Sequence, residues 1–583
     1  MLKSLKYLKK YWYFALLAPF FMIFEVLMDA MLPSFMEKMI DYGIMSNNLS
    51  NIEKYGFIML GIVLIGVLSG ILSGVFANLA SLKFANDLRK DLFKKIMNLS
   101  YDQTDKFQTG SLVTRVTNDI TTVQNFISTI IRGFVRSFGL FLFGIIFTIK
   151  INVKFAIVLA VALPIEILVM IFSLKKTYPV FGKIQKKLDG INTVVHENLT
   201  GARVVKAFGK EEHENERFNK VNVDYSKTLM YVNKIFAIMV PLFTIIIYSA
   251  TIAIYAIGGH SIFNAYENGV HPNIMVGEVS QAITYVTMIC MSLLMVGMTF
   301  TNLASALASA SRINEVLDCP LEIENGNMDT NTISQKGTIE FKNVSFKYPS
   351  ASGYVLNNIN LKINQGESIA IVGSTGCGKS SLVNLLPRFY DVTEGSLLID
   401  GIDVKEYNLE DLRNKIAPVL QKAELFAGTI KENICWGKAN ATDEEIEEAA
   451  TIAQAKSFIE AKPDKYDEYV EEKGTSLSGG QKQRISIARA IIKKPEILIF
   501  DDATSALDLL TEANLYKELN NKMKDCTKII VTQRVATAKN ASKIAILDNG
   551  TIVAFDTHDN LLKNCSIYQD IYNSQLKKDE KEG

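Results

Sequence analysis

The sequence has no excess of charge of either sign. Its 62 lysine and arginine residues are balanced by 61 aspartate and glutamate residues, which leaves a net charge of +1 at pH 7. Broad electrostatic binding to a polyanion needs a basic surplus. The balance therefore argues against nucleic acid as a partner.

Cysteine is also scarce, and its spacing gives no disulfide framework. The six cysteines include no C-x-x-C pair, and Cys377 lies inside a glycine-rich loop in which a disulfide would be harmful. We expect reduced thiols, either in a membrane or facing the cytosol. The full set is Cys290, Cys319, Cys377, Cys435, Cys526 and Cys565.

No cleavable signal peptide is evident either. Lysines at the N-terminus lead into Trp12 and then into a span-length apolar stretch that has no small-residue cleavage site. We expect this stretch to remain in the mature protein.

Long apolar runs, by contrast, are abundant. The length of 583 residues allows about three to four average domains, or one large membrane unit and one globular domain. An apolar content of 48% and a mean hydropathy of +0.16 favour the second arrangement. Six stretches are each about long enough to cross a bilayer as a helix. They are residues 13–36, 56–79, 122–149, 153–172, 235–257 and 279–301.

The loops between these stretches differ in charge. Residues 82–123 and 175–234 are rich in lysine and arginine, whereas residues 258–275 contain neither. The positive-inside rule therefore predicts a multi-pass protein of the cell membrane, with the N-terminus and both long loops in the cytosol. The short loops at 46–54, 150–152 and 258–275 would lie outside, and an even number of spans returns the C-terminal half to the cytosol.

The two long loops keep a helical pattern, at 84–97 and at 194–208. We expect them to be spans that continue as helical rods beyond the membrane. Such rods would transmit motion as well as connect the spans.

Two pairs of charged residues fall within the predicted spans at helical spacing. Glu25 and Asp29 are four residues apart on the first span, and Arg132 and Arg136 are four apart on the third, so each pair lies on one helix face. Intramembrane charges usually face a cavity or a partner. Two interpretations stay open here: a polar translocation path, or mutual pairing and placement near the membrane interface.

A domain boundary follows the last span. The helical pattern continues from Leu303 to about Leu317, the pair Cys319-Pro320 breaks it, and the polar stretch 322–336 is typical of a linker. The predicted organisation is therefore a membrane domain at 1–318, a linker at 319–336 and a second domain at 337–583.

The second domain contains a G-x-x-x-x-G-K-S pattern between the apolar run 368–372 and a helix-like segment at 382–386. Glycines let backbone N–H groups turn inward around phosphate oxygens, Lys379 reaches the terminal phosphates, and Ser380 can ligate Mg²⁺. The following helix would direct its positive end at the anion. The predicted phosphate-binding residues are Gly373, Ser374, Thr375, Gly376, Cys377, Gly378, Lys379, Ser380 and Ser381.

Two further strands end in polar residues. The apolar run 496–500 predicts a buried parallel strand that ends in Asp501 and Asp502. A carboxylate at the end of a strand next to a phosphate loop is where Mg²⁺ is held, so we assign that role to Asp501. Asp502 would point toward the water that attacks the γ-phosphate. Another strand, at 528–532, ends at Gln533, which would also face the nucleotide.

Two other segments point to nucleotide binding. The alternating stretch 337–348 predicts an exposed sheet and ends at Tyr348, which would either stack on a purine ring or simply cover the sheet. The five residues Leu477 to Gln481, LSGGQ, open a predicted helix at 482–491 and form the most specific motif in the chain. A simple glycine turn before a helix is the alternative for LSGGQ.

At this point a resemblance to a known family can be named. The order of the phosphate loop, Gln421, LSGGQ, Asp501 and the segment Ser505-Ala506-Leu507-Asp508 resembles the nucleotide-binding domain of ATP-binding cassette (ABC) transporters. Six spans ahead of that domain resemble a half-transporter of the exporter class. The resemblance covers essentially the whole chain. It implies an α-helical six-span transmembrane domain followed by an α/β P-loop ATPase domain, with ATP and Mg²⁺ as cofactors.

The resemblance also implies roles for individual residues. It makes Tyr348 the aromatic that stacks on adenine, Gln421 a contact to magnesium and water that responds to the membrane domain, and Asp508 part of the loop that crosses a dimer interface. Two coupling helices, at 101–109 and 199–208, would dock on the nucleotide domains. The magnesium ligands would be Ser380, Gln421 and Asp501, the catalytic groups Asp502, Gln533 and Gln421, and the signature that closes on a partner's ATP would be Ser478, Gly479, Gly480 and Gln481.

Two positions depart from the family pattern. The residue after the magnesium-binding aspartate is normally glutamate, the general base, and here it is Asp502, which is one methylene shorter. The switch residue is normally histidine, and here it is Gln533. Together they resemble the degenerate site of heterodimeric exporters, in which one of two composite ATP sites binds nucleotide but hydrolyses it poorly.

The function that follows is an ATP-driven efflux pump subunit, paired with a second half-transporter that has a competent glutamate and histidine. Its substrate would be a small molecule, a lipid or a peptide of amphipathic or hydrophobic character. An ATP-gated channel or regulator without net pumping is the rival hypothesis. A soluble cassette ATPase is a third class, and the six spans argue against it.

Overall fold

The computed structural model describes residues 3, 5–269, 272, 274–328, 336–349 and 351–582. The chain divides into two compact units. The first holds Met1–Met97 and Thr109–Cys319, and the second holds Asn98–Gln108 and Pro320–Gly583. The linker was expected at 319–336, and residues 329–335 of it lie outside the described residues.

The first unit consists of long helices. Within the described residues, six continuous helical segments are long and apolar enough to cross a membrane, which confirms the predicted number of spans; the third of them, Thr109–Ile151, combines several of the shorter helices named below. In chain order the helices up to the end of this unit are α1 (Lys6–Lys9), α2 (Trp12–Met39), α3 (Leu49–Met97), α4 (Tyr101–Phe107), α5 (Thr109–Thr114), α6 (Ile120–Ser128), α7 (Val135–Ile151), α8 (Val153–Thr200), α9 (Ala202–Ala207), α10 (Glu211–Glu267) and α11 (Val276–Leu317). Of these, α4 belongs to the second unit. Short π-helical segments stand at Ile40–Ile44, Arg115–Asp119 and Thr129–Phe134.

Three of these helices are far longer than a bilayer requires. Helices α3, α8 and α10 contain 49, 48 and 57 residues. At a rise of about 1.5 Å per residue each is roughly 70–85 Å long, against about 30 Å for the hydrocarbon core of a membrane. The helical pattern at 84–97 therefore belongs to α3, the same continuous helix as the second span, whereas the pattern at 194–208 belongs to α8 only as far as Thr200.

The two expected coupling helices are shorter than the sequence indicated. Helix α4 ends at Phe107 because Gln108 adopts a left-handed φ of +62°, and Thr109 already belongs to α5. Gly201 separates α9 from the end of α8, so α9 begins only at Ala202. The expected ranges 101–109 and 199–208 thus each extend past their helix at one or both ends.

The intramembrane charges are largely paired with one another. The Arg136 guanidinium donates to Glu25 and, over 3.0 Å, to Asp29. Arg132 lies beside Gly74, whose missing side chain leaves room for it: an added Cβ would stand 3.5 Å from the guanidinium. For Arg136, Glu25 and Asp29 the structure supports the interpretation of mutual pairing.

The second unit is an α/β domain with three sheets, as the α/β prediction required. A six-stranded, mostly parallel sheet has the strand order β12-β11-β3-β10-β9-β6, a four-stranded antiparallel sheet has the order β2-β1-β4-β5, and β7 pairs with β8. The strands are β1 (Ile339–Phe346), β2 (Leu356–Ile363), β3 (Ser368–Val372), β4 (Glu394–Ile399), β5 (Ile402–Asp403), β6 (Ile416–Val419), β7 (Gly428–Thr429), β8 (Tyr469–Val470), β9 (Ile497–Asp501), β10 (Thr527–Val531), β11 (Lys543–Asp548) and β12 (Thr551–Asp556).

Short helices connect and cover these strands. They are α12 (Lys379–Asn384), α13 (Leu409–Lys415), α14 (Ile430–Cys435), α15 (Asp443–Ile452), α16 (Lys456–Glu460), α17 (Gly479–Ile491), α18 (Leu509–Lys522), α19 (Val535–Ala538), α20 (His558–Asn564) and α21 (Ser566–Glu582). Helix α17 begins three residues before its predicted start, so the glycines of the LSGGQ motif form its first turn.

The parallel strands bring the predicted site residues to one edge of the larger sheet. Strands β3, β10, β9 and β6 are neighbours and run in the same direction. Because carboxyl ends of parallel strands share an edge, the segments that follow these four strands converge there. They contain the phosphate loop, Gln533, Asp502 and Gln421, respectively.

Candidate functional site

The phosphate loop turns sharply between β3 and α12. Gly378 precedes α12 with a φ of +103°, and an added Cβ would lie 2.9 Å from Leu356 Cδ2 and 3.1 Å from the Val355 carbonyl. At Gly373 an added Cβ would lie 2.1 Å from the Leu547 carbonyl oxygen. Only glycine fits these two places. The result is a loop whose backbone N–H groups can surround an anion.

Lys379 is the charged group of this loop and is buried. Its ammonium donates to the carbonyl oxygens of Gly373, over 2.9 Å, and Ser374, over 2.7 Å. These bonds hold the charge across the loop. They place it where an incoming polyphosphate would be neutralised.

The residues expected to bind magnesium lie together. Ser380 Oγ donates to Asp501 Oδ1 over 2.9 Å. Burial raises the pKa of Asp501, and the nearby charge of Asp502 adds to this, while the Ser380 hydrogen bond and Lys379 oppose it. A bound cation would offset the cost of keeping two neighbouring carboxylates ionised here. The oxygen donors present therefore suit Mg²⁺.

Asp502 lies beside the same group in an unusual backbone conformation. Its φ is +48°, in the left-handed region that aspartate tolerates better than most residues. Its amide donates to the Val531 carbonyl over 3.0 Å, and its Oδ2 accepts a 3.2 Å hydrogen bond from Gln421 Nε2. Asp502 and Gln421, two of the three predicted catalytic residues, are thus in direct contact.

A pocket of about 230 Å³ unites most of the predicted residues. Typical ligand pockets measure about 300–1,000 Å³, so this one suits the polyphosphate end of a nucleotide better than a whole nucleotide. It is lined by Val355, Thr375, Gly376, Gly378, Lys379, Ser380, Ser381, Gln421, Asp501, Asp502, Val531, Thr532 and Gln533. Val355, Val531 and Thr532 were missed, because nothing in their local sequence distinguishes them from ordinary strand residues.

The signature lies elsewhere among the described residues, since the pocket lining does not include Ser478–Gln481. Ser478 is the N-cap of α17: its hydroxyl accepts from the Gln481 amide, and its own amide donates to Gln481 Oε1 over 3.0 Å. Ser478 and Gly479 are exposed. The motif therefore forms a capped helix start at an exposed surface, outside the lining of this pocket.

Tyr348 has a polar contact that the sequence did not reveal. Its hydroxyl forms a 2.9 Å hydrogen bond with Ser381 Oγ in the phosphate loop. Its ring packs edge-on against Tyr390, with ring centroids 5.2 Å apart. Burial raises the pKa of Tyr390 to about 12, so its hydroxyl stays neutral.

Helix α4, the expected first coupling helix, contacts these aromatic residues. Tyr101 of α4 lies 4.8 Å from the Phe389 ring and 6.3 Å from the Tyr390 ring, centroid to centroid. Gln103 Nε2 of the same helix donates to the Pro320 carbonyl over 2.6 Å. Tyr390 thus contacts both α4 and Tyr348. Phe389 and Tyr390 were missed as well, because the pattern around them is that of an ordinary hydrophobic core.

The nucleotide prediction can be tested by substitution in the purified full-length chain. Lys379→Ala removes a charge-assisted contact worth about 1.5–3 kcal/mol, so we expect ATP binding to weaken by roughly 10- to 100-fold. Tyr348→Ala removes an aromatic contact worth about 0.5–1.5 kcal/mol and should have a milder effect, whereas Tyr348→Phe keeps the ring and should bind like the unmodified chain. Equilibrium binding of labelled ATP measures all three. Unchanged binding in both alanine variants would contradict the assignment.

Comparison with known proteins agrees with this geometry. The family model described as "ABC transporter transmembrane region" matches residues 15–293, and the model described as "ABC transporter" matches residues 356–505. The ABC transporter ATP-binding protein YfiB of Bacillus subtilis is 38% identical over 578 residues, which are 99% of both chains.

Two other relatives carry more specific descriptions. An ATP-dependent lipid A-core flippase of Desulfotalea psychrophila is 37% identical over 492 residues, 84% of each chain. A putative multidrug export ATP-binding/permease protein of Bacillus subtilis, YgaD, is 34% identical over 508 residues, 86% of this chain and 85% of the relative.

Proposed function

Because the chain belongs to the ABC transporter family, with an exporter's transmembrane region and ATP-binding domain in one polypeptide, we propose that it is one subunit of a heterodimeric ATP-driven export pump. The proposal rests on the set of residues that line the nucleotide pocket. It holds Lys379, Asp501, Asp502 and Gln533 but, within the described residues, none of the signature. A second chain has to complete the site.

The residues of the pocket divide the work of hydrolysis. Lys379 would neutralise the terminal phosphates, and Ser380, Gln421 and Asp501 would hold Mg²⁺, which would supply charge stabilisation on the phosphates. Asp502 orients the attacking water together with Gln421. ATP binding pulls two nucleotide domains together head to tail, the coupling helices pass this motion to the spans, and hydrolysis resets them.

The two departures from the family pattern support a heterodimer. The Asp502 carboxylate is one methylene shorter than glutamate and is already engaged by Gln421 at 3.2 Å. Gln533 has no titratable proton, unlike the histidine usual at its position. We infer that the site built on this chain's phosphate loop hydrolyses ATP slowly, and that the signature of this chain serves a faster site on the partner.

The second coupling helix gives independent support for a partner chain. Helix α9 has no buried residues. The side chain of Val204 within it is 60% exposed, and that of Phe208, directly after it, is 74% exposed. Exposed apolar clusters mark interaction surfaces. On the nucleotide domain, Phe426 and Trp436 are also exposed and stack with centroids 4.1 Å apart. We infer that α9 docks against such an aromatic surface on a partner's nucleotide domain.

The substrate is amphipathic or hydrophobic in this proposal, for example a small molecule, a lipid or a peptide. The names of two relatives, a lipid A-core flippase and a multidrug export protein, support that class. So does a cavity of about 1,190 Å³ between α8 and α10, which is apolar along Val161 and Ile245 and polar toward Lys154 and His260. In this arrangement the N-terminus and the nucleotide domain lie in the cytosol, with a membrane domain at 1–318 and a nucleotide domain at 337–583.

The proposal is tested with the chain alone and with a co-purified second half-transporter. We expect little ATPase activity from the chain alone and clear activity from the pair. In inside-out vesicles, the active pair should accumulate a fluorescent amphipathic dye against its gradient when ATP is added. Downhill flux alone would favour an ATP-gated channel, and full ATPase activity of the chain as a homodimer would contradict the heterodimer.

A further inference from the structure

One carboxyl group in the membrane unit is buried without a counter-charge. Glu166 lies on α8, within the predicted span at 153–172, and its residue is 0% exposed. Neither of its carboxyl oxygens accepts a hydrogen bond from an N–H or O–H group of the described residues, and the polar group beside them is the Cys290 thiol, a weak donor. Arg136 pairs with Glu25 and Asp29, and no comparable cation is bonded to Glu166 within the described residues.

The surroundings of Glu166 are closely packed and apolar. On the same face of α8, Leu159 and Ala162 are buried in a cluster with Val286 and Ile289 of α11. One turn further along, an added Cβ on Gly297 of α11 would lie only 3.0 Å from Met170 Sδ of α8. Helices α8 and α11 therefore meet closely on both sides of Glu166, and solvent does not reach its carboxyl group.

The titratable neighbours of Glu166 cannot balance a negative charge. On α11 the group beside it is the Cys290 thiol, which is neutral or negative but never positive. On α10, residues 242–249 pass at the same depth, and their titratable residue is Tyr248, which is 64% exposed and turned outward. The charged residue of α7 within the membrane is Arg136, and its guanidinium is already paired with Glu25 and Asp29.

A carboxylate in such surroundings is costly, because it has lost its water and gained no counter-charge. The neutral acid is therefore the stable form while α8 and α11 stay packed. Helix α8 continues without a break from Glu166 to Thr200, where Gly201 joins it to the coupling helix α9. A movement of α9 thus acts on the helix that carries the carboxyl group.

We propose that Glu166 is a proton-binding site that exchanges its proton once per transport cycle. The proton stays on the carboxyl while α8 and α11 are packed together. When the two helices separate, the O–H bond breaks and the proton passes to water in the opened path. Glu166 then remains a carboxylate until the helices close again, when it takes up a proton from water. The inference rests on the proposed transport cycle and adds to it a linkage between pumping and pH.

Infrared difference spectroscopy tests the protonation directly. In the assembled exporter in proteoliposomes, subtracting the spectrum of Glu166→Gln from that of the unmodified protein isolates the Glu166 carboxyl group. We expect the C=O band of a protonated acid in the nucleotide-free state and its loss in the state trapped with ATP and vanadate. A band that persists in both states, or that is absent from both, would overturn the proposal.

Two matched variants complete the experiment. Glu25→Gln should produce no protonated-acid band in the same subtraction, because the Glu25 carboxylate is paired with Arg136. Glu166→Gln should fold normally but lose the pH dependence of ATP turnover that Glu166→Asp retains. ATPase activity in each preparation reports separately on the export proposal: an active exporter with an unchanged band contradicts only the role of Glu166.

Discussion

Replacing Gly480 of this chain with aspartate is expected to lower the ATPase rate of the assembled exporter by about 100- to 1,000-fold, the usual cost of losing one electrostatic contact to a transition state. Gly480 lies in the first turn of α17, directly after the exposed residues Ser478 and Gly479. In the proposed head-to-tail dimer this turn would face the γ-phosphate held by the partner's phosphate loop. An aspartate there would set a negative charge against the phosphate.

Gly480→Ala is the matched control for this change. Its added Cβ would lie 3.1 Å from the Ala506 carbonyl oxygen, the same tight contact that the Cβ of an aspartate would make, and it adds no charge. We expect the alanine variant to keep most of the turnover. Equal losses in both variants would show that bulk, not charge, causes the effect.

The asymmetry between the two sites gives the experiment its discriminating power. Asp502→Ala in this chain should lower the turnover of the pair only modestly, because in the proposed heterodimer the fast site uses the partner's catalytic base. Loss of a working general base would cost about 10²–10⁴ in rate. A loss of that size in Asp502→Ala would make Asp502 a working base and contradict the degenerate site.

Replacing Arg136 with methionine is expected to destabilise the membrane unit by about 3 kcal/mol or more. The change leaves Glu25 and Asp29 without their common counter-charge inside the membrane, and removal of one partner from a buried ionic group typically costs about 3–5 kcal/mol. Thermal unfolding of the purified protein in detergent, followed by the fluorescence of a thiol-reactive dye or by loss of the monodisperse peak, measures the effect.

Two controls separate charge from packing in this experiment. Arg136→Lys keeps a cation and should retain much of the stability. The triple variant Glu25→Gln, Asp29→Asn and Arg136→Gln removes every charge of the group and should recover much of the loss. If Arg136→Met unfolds at the same temperature as the unmodified protein, the ion pairs contribute nothing to stability.

Local patterns explain why much of this protein was predictable. Six apolar runs of span length correspond to six candidate spans, because burial in a bilayer is a demand on composition along a continuous segment. The phosphate loop is encoded in the same way. The G-x-x-x-x-G-K-S spacing alone reveals the loop, although the contacts that exclude a side chain at Gly373 and Gly378 come from Leu547, Val355 and Leu356, which are distant in the sequence.

Contacts between distant segments left no such pattern. The residues of Thr129–Phe134 have the sequence pattern of an ordinary α-helix. They nevertheless form a π-helical turn, which contains Arg132. The choice between a polar path and mutual pairing for Arg136 depended on where α2 lies beside the third span, which periodicity does not specify. The hydroxyl contact of Tyr348 to Ser381 likewise depends on the folding of two segments about 30 residues apart.

The sequence by itself determined the membrane spans, the nucleotide-binding motifs and the two departures at Asp502 and Gln533, since each is a property of residues close together in the chain. Only the tertiary structure decided that four strand ends bring Gln421, Asp502 and Gln533 to one pocket, and that Glu166 is buried against α11 without a counter-charge. The physical reason is that a side chain's charge and hydrogen-bonding capacity are written in its identity. Whether they are satisfied depends on neighbours that the fold brings from elsewhere.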